Sequence, residues 1–110
     1  MREIKQFCEK IAREFRPEKI ILFGSHAYGN PEWDSDVDLL IIVPFKARPH
    51  RQAVNVRSRI EAPMAIDLLV RTPQEIKRRL EMEDFFIREI MERGKLMYEA
   101  KANASATQPR

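Results

Sequence analysis

From residue 2 to 15 the apolar positions Ile4, Phe7, Cys8, Ile11 and Phe15 recur at helical spacing with charges between them, and Pro17 closes the segment. "KIILFG" follows as a short apolar strand that ends in the pair Gly24-Ser25. A second strand, "DVDLLIIV", begins at Asp36 and is stopped by Pro44, and "MAIDLLV" reads as a third. Between these two, "RQAVNVRSRI" has helical spacing weakened by two β-branched valines. "TPQEIKRRLE" then opens a helix with Thr72 as N-cap and Pro73 at the first helical position. "DFFIREIMER" predicts a further helix with Gly94 as its C-cap, and "KLMYEA" a last short strand. The tail "KANASATQPR" is small, polar and aperiodic, and is expected to be disordered. Helical and strand periods alternating in this way point to an α/β (α+β) chain; one domain over residues 1–99 and a tail over 100–110 account for all of it, with no internal repeat.

Length and composition narrow the picture little further. A chain of 110 residues holds one core, and a formal charge of +3 is too slight to argue for direct nucleic-acid binding. The single cysteine, Cys8, excludes an internal disulfide and, on an apolar helical stripe, reads as a small buried hydrophobe. No apolar run is long enough to cross a bilayer, and "MREIKQF" lacks the apolar core of a signal peptide. A cytoplasmic protein without membrane contact is the expectation.

Three aspartates do not fit a purely packed fold. Side chains alternate along a strand, so Asp36 and Asp38 share a face with Leu40 and Ile42, while Val37, Leu39, Ile41 and Val43 line the other. Two neighbouring carboxylates raise each other's pKa unless something positive lies between them. A divalent cation with a taste for hard oxygen ligands, such as Mg²⁺, would remove that cost; two acids capping a strand end in solvent is the plainer alternative. Asp67, inside "AIDLLV", is a misfit of the same kind. Either it pairs with Arg71 or Arg57, or, if the third strand lies beside the second, it joins Asp36 and Asp38 in one cluster. Gly24-Ser25 adds a turn in which Ser25 caps the short helical stretch "SHAYG"; such a turn presents amides to a phosphate, or is simply a turn.

Gly24-Ser25, ten residues, then Asp36-Val37-Asp38 resembles the signature of minimal nucleotidyltransferases of the DNA polymerase β superfamily, and Asp67 falls where that superfamily has its third carboxylate. The resemblance covers about residues 3–99. It implies a small mixed β-sheet flanked by helices, the polymerase-β-like fold. More narrowly the chain resembles the MntA-type antitoxin of HEPN–MNT toxin–antitoxin modules, notably at "IREIMERGKLMYE". That likeness implies AMP transfer from ATP to a hydroxyl, a tyrosine of a partner HEPN-domain ribonuclease toxin, for which this chain would be the antitoxin. Asp36, Asp38 and Asp67 would then be catalytic and metal-binding, holding two Mg²⁺ ions, and Gly24 and Ser25 would bind the nucleotide. Many relatives carry arginines after Gly-Ser where this chain has His26 and Tyr28, so the phosphate cation is sought in Lys46, Arg48 or Arg71. Trp33 would stack on a base or pack beneath its loop, and His26 is expected at the surface or behind the ligands. With no extra acceptor-binding domain in view, a partner protein or an oligomer is expected to present the acceptor, and Phe85, Phe86, Ile90 and Met91 face it in part or belong to the core. A non-catalytic antitoxin and a transferase acting on an antibiotic-like small molecule remain as alternatives.

Overall fold

The computed structural model describes residues 2–29, 36–44 and 65–100. Its elements run α1 (Arg2–Phe15), β1 (Lys19–Phe23), α2 (Ser25–Tyr28), β2 (Val37–Ile42), β3 (Ile66–Arg71), α3 (Pro73–Glu81), α4 (Phe85–Arg93) and β4 (Lys95–Glu99). The helix expected over 51–60, the tail from 101, and Trp33, Lys46, Arg48 and Arg57 lie outside the described residues.

Among the described residues four strands form one mixed sheet in the order β3-β2-β1-β4. β1 is antiparallel to both β2 and β4, whereas β2 and β3 run parallel. The α/β class and the mixed sheet expected from the sequence are therefore observed. β2 is an interior strand, which explains its unbroken apolar run: both of its faces need a cover.

The two covers differ. Ile4, Phe7, Cys8 and Ile11 of α1 pack with Ile20, Leu22, Val37, Leu39, Ile41 and Val43 on one side of the sheet. On the other side Ile21, Leu40 and Ile42 meet Ile76 of α3 and Ile87 and Ile90 of α4. Cys8 is buried, and burial foremost, with the Glu9 charge second, pushes its thiol up to about 12.

The helices over the second face are fixed at their ends by side chains. Thr72 and Glu75 form a reciprocal capping box: the Glu75 amide donates to Thr72 Oγ1 at 3.1 Å, and the Thr72 amide to Glu75 Oε1 at 3.2 Å. Asp84 caps α4 by accepting from the Phe86 and Ile87 amides. Gly94 does end α4, but with extended backbone (φ −67°, ψ 159°) rather than a left-handed cap. Space explains the glycine: a Cβ there would run into the Ile21 side chain and the Ile90 carbonyl.

Register decides what each end of the sheet carries. Lys19, Ile42 and Arg71 lie abreast at one end. At the other, Phe23 is opposite Asp38, and Asp38 is opposite Asp67.

Candidate active site

The row Phe23–Asp38–Asp67 crosses three strands on the face covered by α3 and α4, just beyond the point where Leu40 closes the core. Asp38 is half-buried and stands directly beside Asp67 in the β2–β3 register. Burial comes first among the causes that raise its pKa, followed by the charges of Asp67 and Asp36 and the hydrogen bond to Asp67; His26 pulls the other way. Asp36 stands one residue before β2 and is exposed, so it acts at the rim. Asp67 is also exposed; it is the second residue of β3 rather than the middle of a buried strand.

Gly24 is locked against this pair. Its φ of 79° is a conformation that side chains disfavour, and a Cβ there would collide with the Asp38 carboxylate. The glycine thus serves the approach of Asp38 first. It is also the N-cap of α2, making no side-chain cap bond, whereas the sequence reading gave that place to Ser25. Ser25 is the exposed first residue of the turn. The amides of Ala27 and Tyr28 close on the Gly24 carbonyl, so Ser25 is left at the entrance with a hydroxyl and an amide to offer. Four residues make too short a helix for a sizeable dipole; its contribution is hydrogen-bond donors.

A cleft of about 580 Å³ opens over these groups. Phe23, Leu69 and Phe86 form its apolar wall, with the two phenyl rings edge-to-face at 5.8 Å and 83°. Gly24, Tyr28, Asp38, Asp67 and Glu89 supply its polar lining. The Tyr28 hydroxyl is buried there with no hydrogen-bond partner among the described residues. Burial leads in raising its pKa; the nearby Gly24 backbone eases this without hydrogen-bond geometry, the Glu89 and Asp38 charges add to it, and Arg93 opposes them. The Arg93 guanidinium stacks 4.6 Å from the centre of the Tyr28 ring and is bound to Glu89 at 3.1 Å. As an exposed i,i+4 pair, that ion pair is worth only about 0.3–0.5 kcal/mol.

The donor set suits a hard divalent cation. Two neighbouring carboxylates repel each other, and a divalent cation between them would satisfy both. Among the described residues no three ligating side chains converge on one point as they stand: Asp38 and Asp67 pair directly, and Asp36 remains at the rim.

Two expectations fail on register. Arg71 lies at the far end of β3 from Asp67 and donates to the Val70 carbonyl at 2.7 Å, so it is neither an ion-pair partner of Asp67 nor a phosphate cation of this cleft. Of the four α4 positions considered for a partner, Ile90 is core and Met91 packs against it, while Phe85 and Phe86 are 74% and 55% exposed. Glu89 and Arg93 were not singled out by the sequence; their spacing of four in "EIMER" shows a helical charge pair, but not that it docks on Tyr28.

The family model of the nucleotidyltransferase domain matches residues 1–98. No curated protein matches the chain. Among solved structures, a candidate nucleotidyltransferase from Sulfolobus solfataricus is similar over 89% of this chain and 78% of its own, with a TM-score of 0.63 and 21% identity. At that identity the likeness carries the fold alone.

Proposed function

The chain belongs to the nucleotidyltransferase domain family, and from that premise we propose that its cleft transfers AMP from ATP, with Mg²⁺, to a hydroxyl of a partner protein. The observation that carries the reading is the register of β2 against β3, which sets Asp38 beside Asp67 at the mouth of the cleft with Gly24 against them. A module that acted by contact alone would gain nothing from two acids that repel each other, and removing them would relieve the fold.

Asp38 and Asp67, with Asp36 at the rim, would hold the metal. When bound, Mg²⁺ neutralises phosphate charge and stabilises the attacking and leaving oxygens of an in-line displacement. The chain's own residues do the rest. Gly24 lets the triphosphate approach the backbone, and Ser25 donates its hydroxyl and amide to phosphate oxygens. Asp67 takes the proton from the attacking hydroxyl. A bond forms between that oxygen and the α-phosphorus, the α–β bridge breaks, and pyrophosphate leaves. Phe23, Leu69 and Phe86 keep water from competing as acceptor. Catalysis of this kind is positioning and charge neutralisation rather than covalent chemistry by the protein.

The acceptor we propose is a tyrosine of a HEPN-domain toxin, which makes this chain the antitoxin of the pair. Supporting it are the resemblance at the C-terminal end and the exposed apolar side chains Met82, Phe85 and Phe86, the last of which lines the cleft. The test is transfer of label from α-labelled ATP, with Mg²⁺, to the small helical protein encoded beside this one. Label on that protein with wild type, absent with Asp36→Asn, supports the reading. A tight complex without label from either would make the chain a binding antitoxin.

A further inference from the structure

The charges around the cleft do not yet balance for a polyphosphate. Asp36, Asp38, Asp67 and Glu89 are all acidic, and a divalent metal between the aspartates leaves most of a triphosphate's charge unanswered. His26 on α2 already faces Asp38, whose pKa it lowers. A guanidinium is charged at every working pH and grips phosphate through a planar fork.

Arg93 is placed to be that guanidinium. It stacks on Tyr28, three residues after Ser25 in the same turn, and Tyr28 itself lines the cleft. Its partner Glu89 lines both the cleft and the adjoining depression that Arg93 borders. The contact with Glu89 is made by Nη1, one end of a group with five N–H donors. The pair is an exposed one, 56% and 47% for the two side chains, so a phosphate can displace the carboxylate at small cost. Beside it the Tyr28 hydroxyl is a buried donor with no acceptor among the described residues. Two donors from different elements thus come together beside the cleft: Tyr28 lines it, and Arg93, which borders the adjoining depression, stacks on the Tyr28 ring.

We infer that Arg93 and Tyr28 form the phosphate clamp of this cleft, with Glu89 holding the guanidinium against the tyrosine ring until a polyphosphate takes its place. The inference rests on the nucleotidyl-transfer reading and deepens it. The clamp replaces cations that the turn after Gly24-Ser25 does not carry: "HAYG" has no lysine or arginine.

The test is calorimetric binding of a non-hydrolysable ATP analogue, and separately of inorganic tripolyphosphate, each with Mg²⁺. Wild type is compared with Arg93→Ala, Arg93→Lys, Tyr28→Phe and Glu89→Gln, with melting curves for all. Arg93→Ala is expected to weaken both ligands 10- to 100-fold at an unchanged melting temperature, and Arg93→Lys to recover part of the loss. Tyr28→Phe keeps the ring under Arg93 and should lose a few-fold; Glu89→Gln frees Arg93 and should tighten binding a few-fold. Tripolyphosphate that binds Arg93→Ala as it binds wild type overturns the inference. So does an equal loss in Glu89→Gln, which would make the pair a structural unit. If wild type binds neither ligand, the nucleotidyl-transfer reading falls first and the clamp with it.

Discussion

β2 carries two faces with opposite fates. On one, Val37, Leu39, Ile41 and Val43 are all 2% exposed or less, sealed under α1. On the other, Leu40 and Ile42 are sealed by α3 and α4, but Asp38 lies where that cover stops and the cleft begins. The same two-residue period that buries leucines therefore delivers a carboxylate, held by the rigid strand, to an open edge. Chemistry is placed where one packing layer falls short, and the strand keeps its position because the opposite layer does not.

Neighbouring substitutions in β2 should separate these roles. Asp38→Asn is expected to reduce nucleotidyl transfer by about a thousandfold, on the scale of lost electrostatic stabilisation, while the metal-free protein melts no lower than wild type, since a like-charge contact is gone. Rate assays and calorimetric melting read the two effects. Leu39→Ala, one residue away and 0% exposed, should cost about 2–5 kcal/mol by denaturant unfolding. If Leu39→Ala spared stability, or Asp38→Asn lowered it, the division between faces would be wrong.

Gly24→Ala sits between the two classes. Backbone strain at φ 79° should cost about 1–3 kcal/mol, and the collision with Asp38 should lower transfer as well. Smaller still is Thr72→Ala: losing the capping box removes about 1 kcal/mol in urea titration and leaves transfer intact. The smallest effect is at Cys8. With its thiol pushed up to about 12, the native protein should resist alkylation at pH 8 and react only when unfolded, as mass spectrometry would show. The sign of the linkage follows. Stability from keeping this thiol protonated is complete below its ordinary value of 9.0 and is lost as pH rises toward 12.

Much of this was legible in the chain because periodicity is local. Alternation in "DVDLLIIV" assigned each β2 side chain to its face, and Thr72-Pro73 marked the start of α3. What escaped depends on register and docking, which no local pattern encodes. Arg71 looked available to Asp67 because both lie in one short strand, yet four residues of extended chain carry it to the other end of the sheet. Ser25 looked like a cap until the backbone gave that place to Gly24. Tyr28 and Arg93 are 65 positions apart and meet only because α4 packs across the second face. For the aspartates, sequence showed the shared face; only the parallel register of β3 showed which two touch.

The central claim is that Asp38 and Asp67 hold a divalent cation together with a nucleotide. Electron paramagnetic resonance of Mn²⁺ added to wild type, Asp38→Asn and Asp67→Asn, with and without a non-hydrolysable ATP analogue, tests it most directly. Wild type should bind Mn²⁺ tightly in a nucleotide-dependent way, and both variants should lose that binding while remaining folded. Equal Mn²⁺ binding by all three proteins would contradict it.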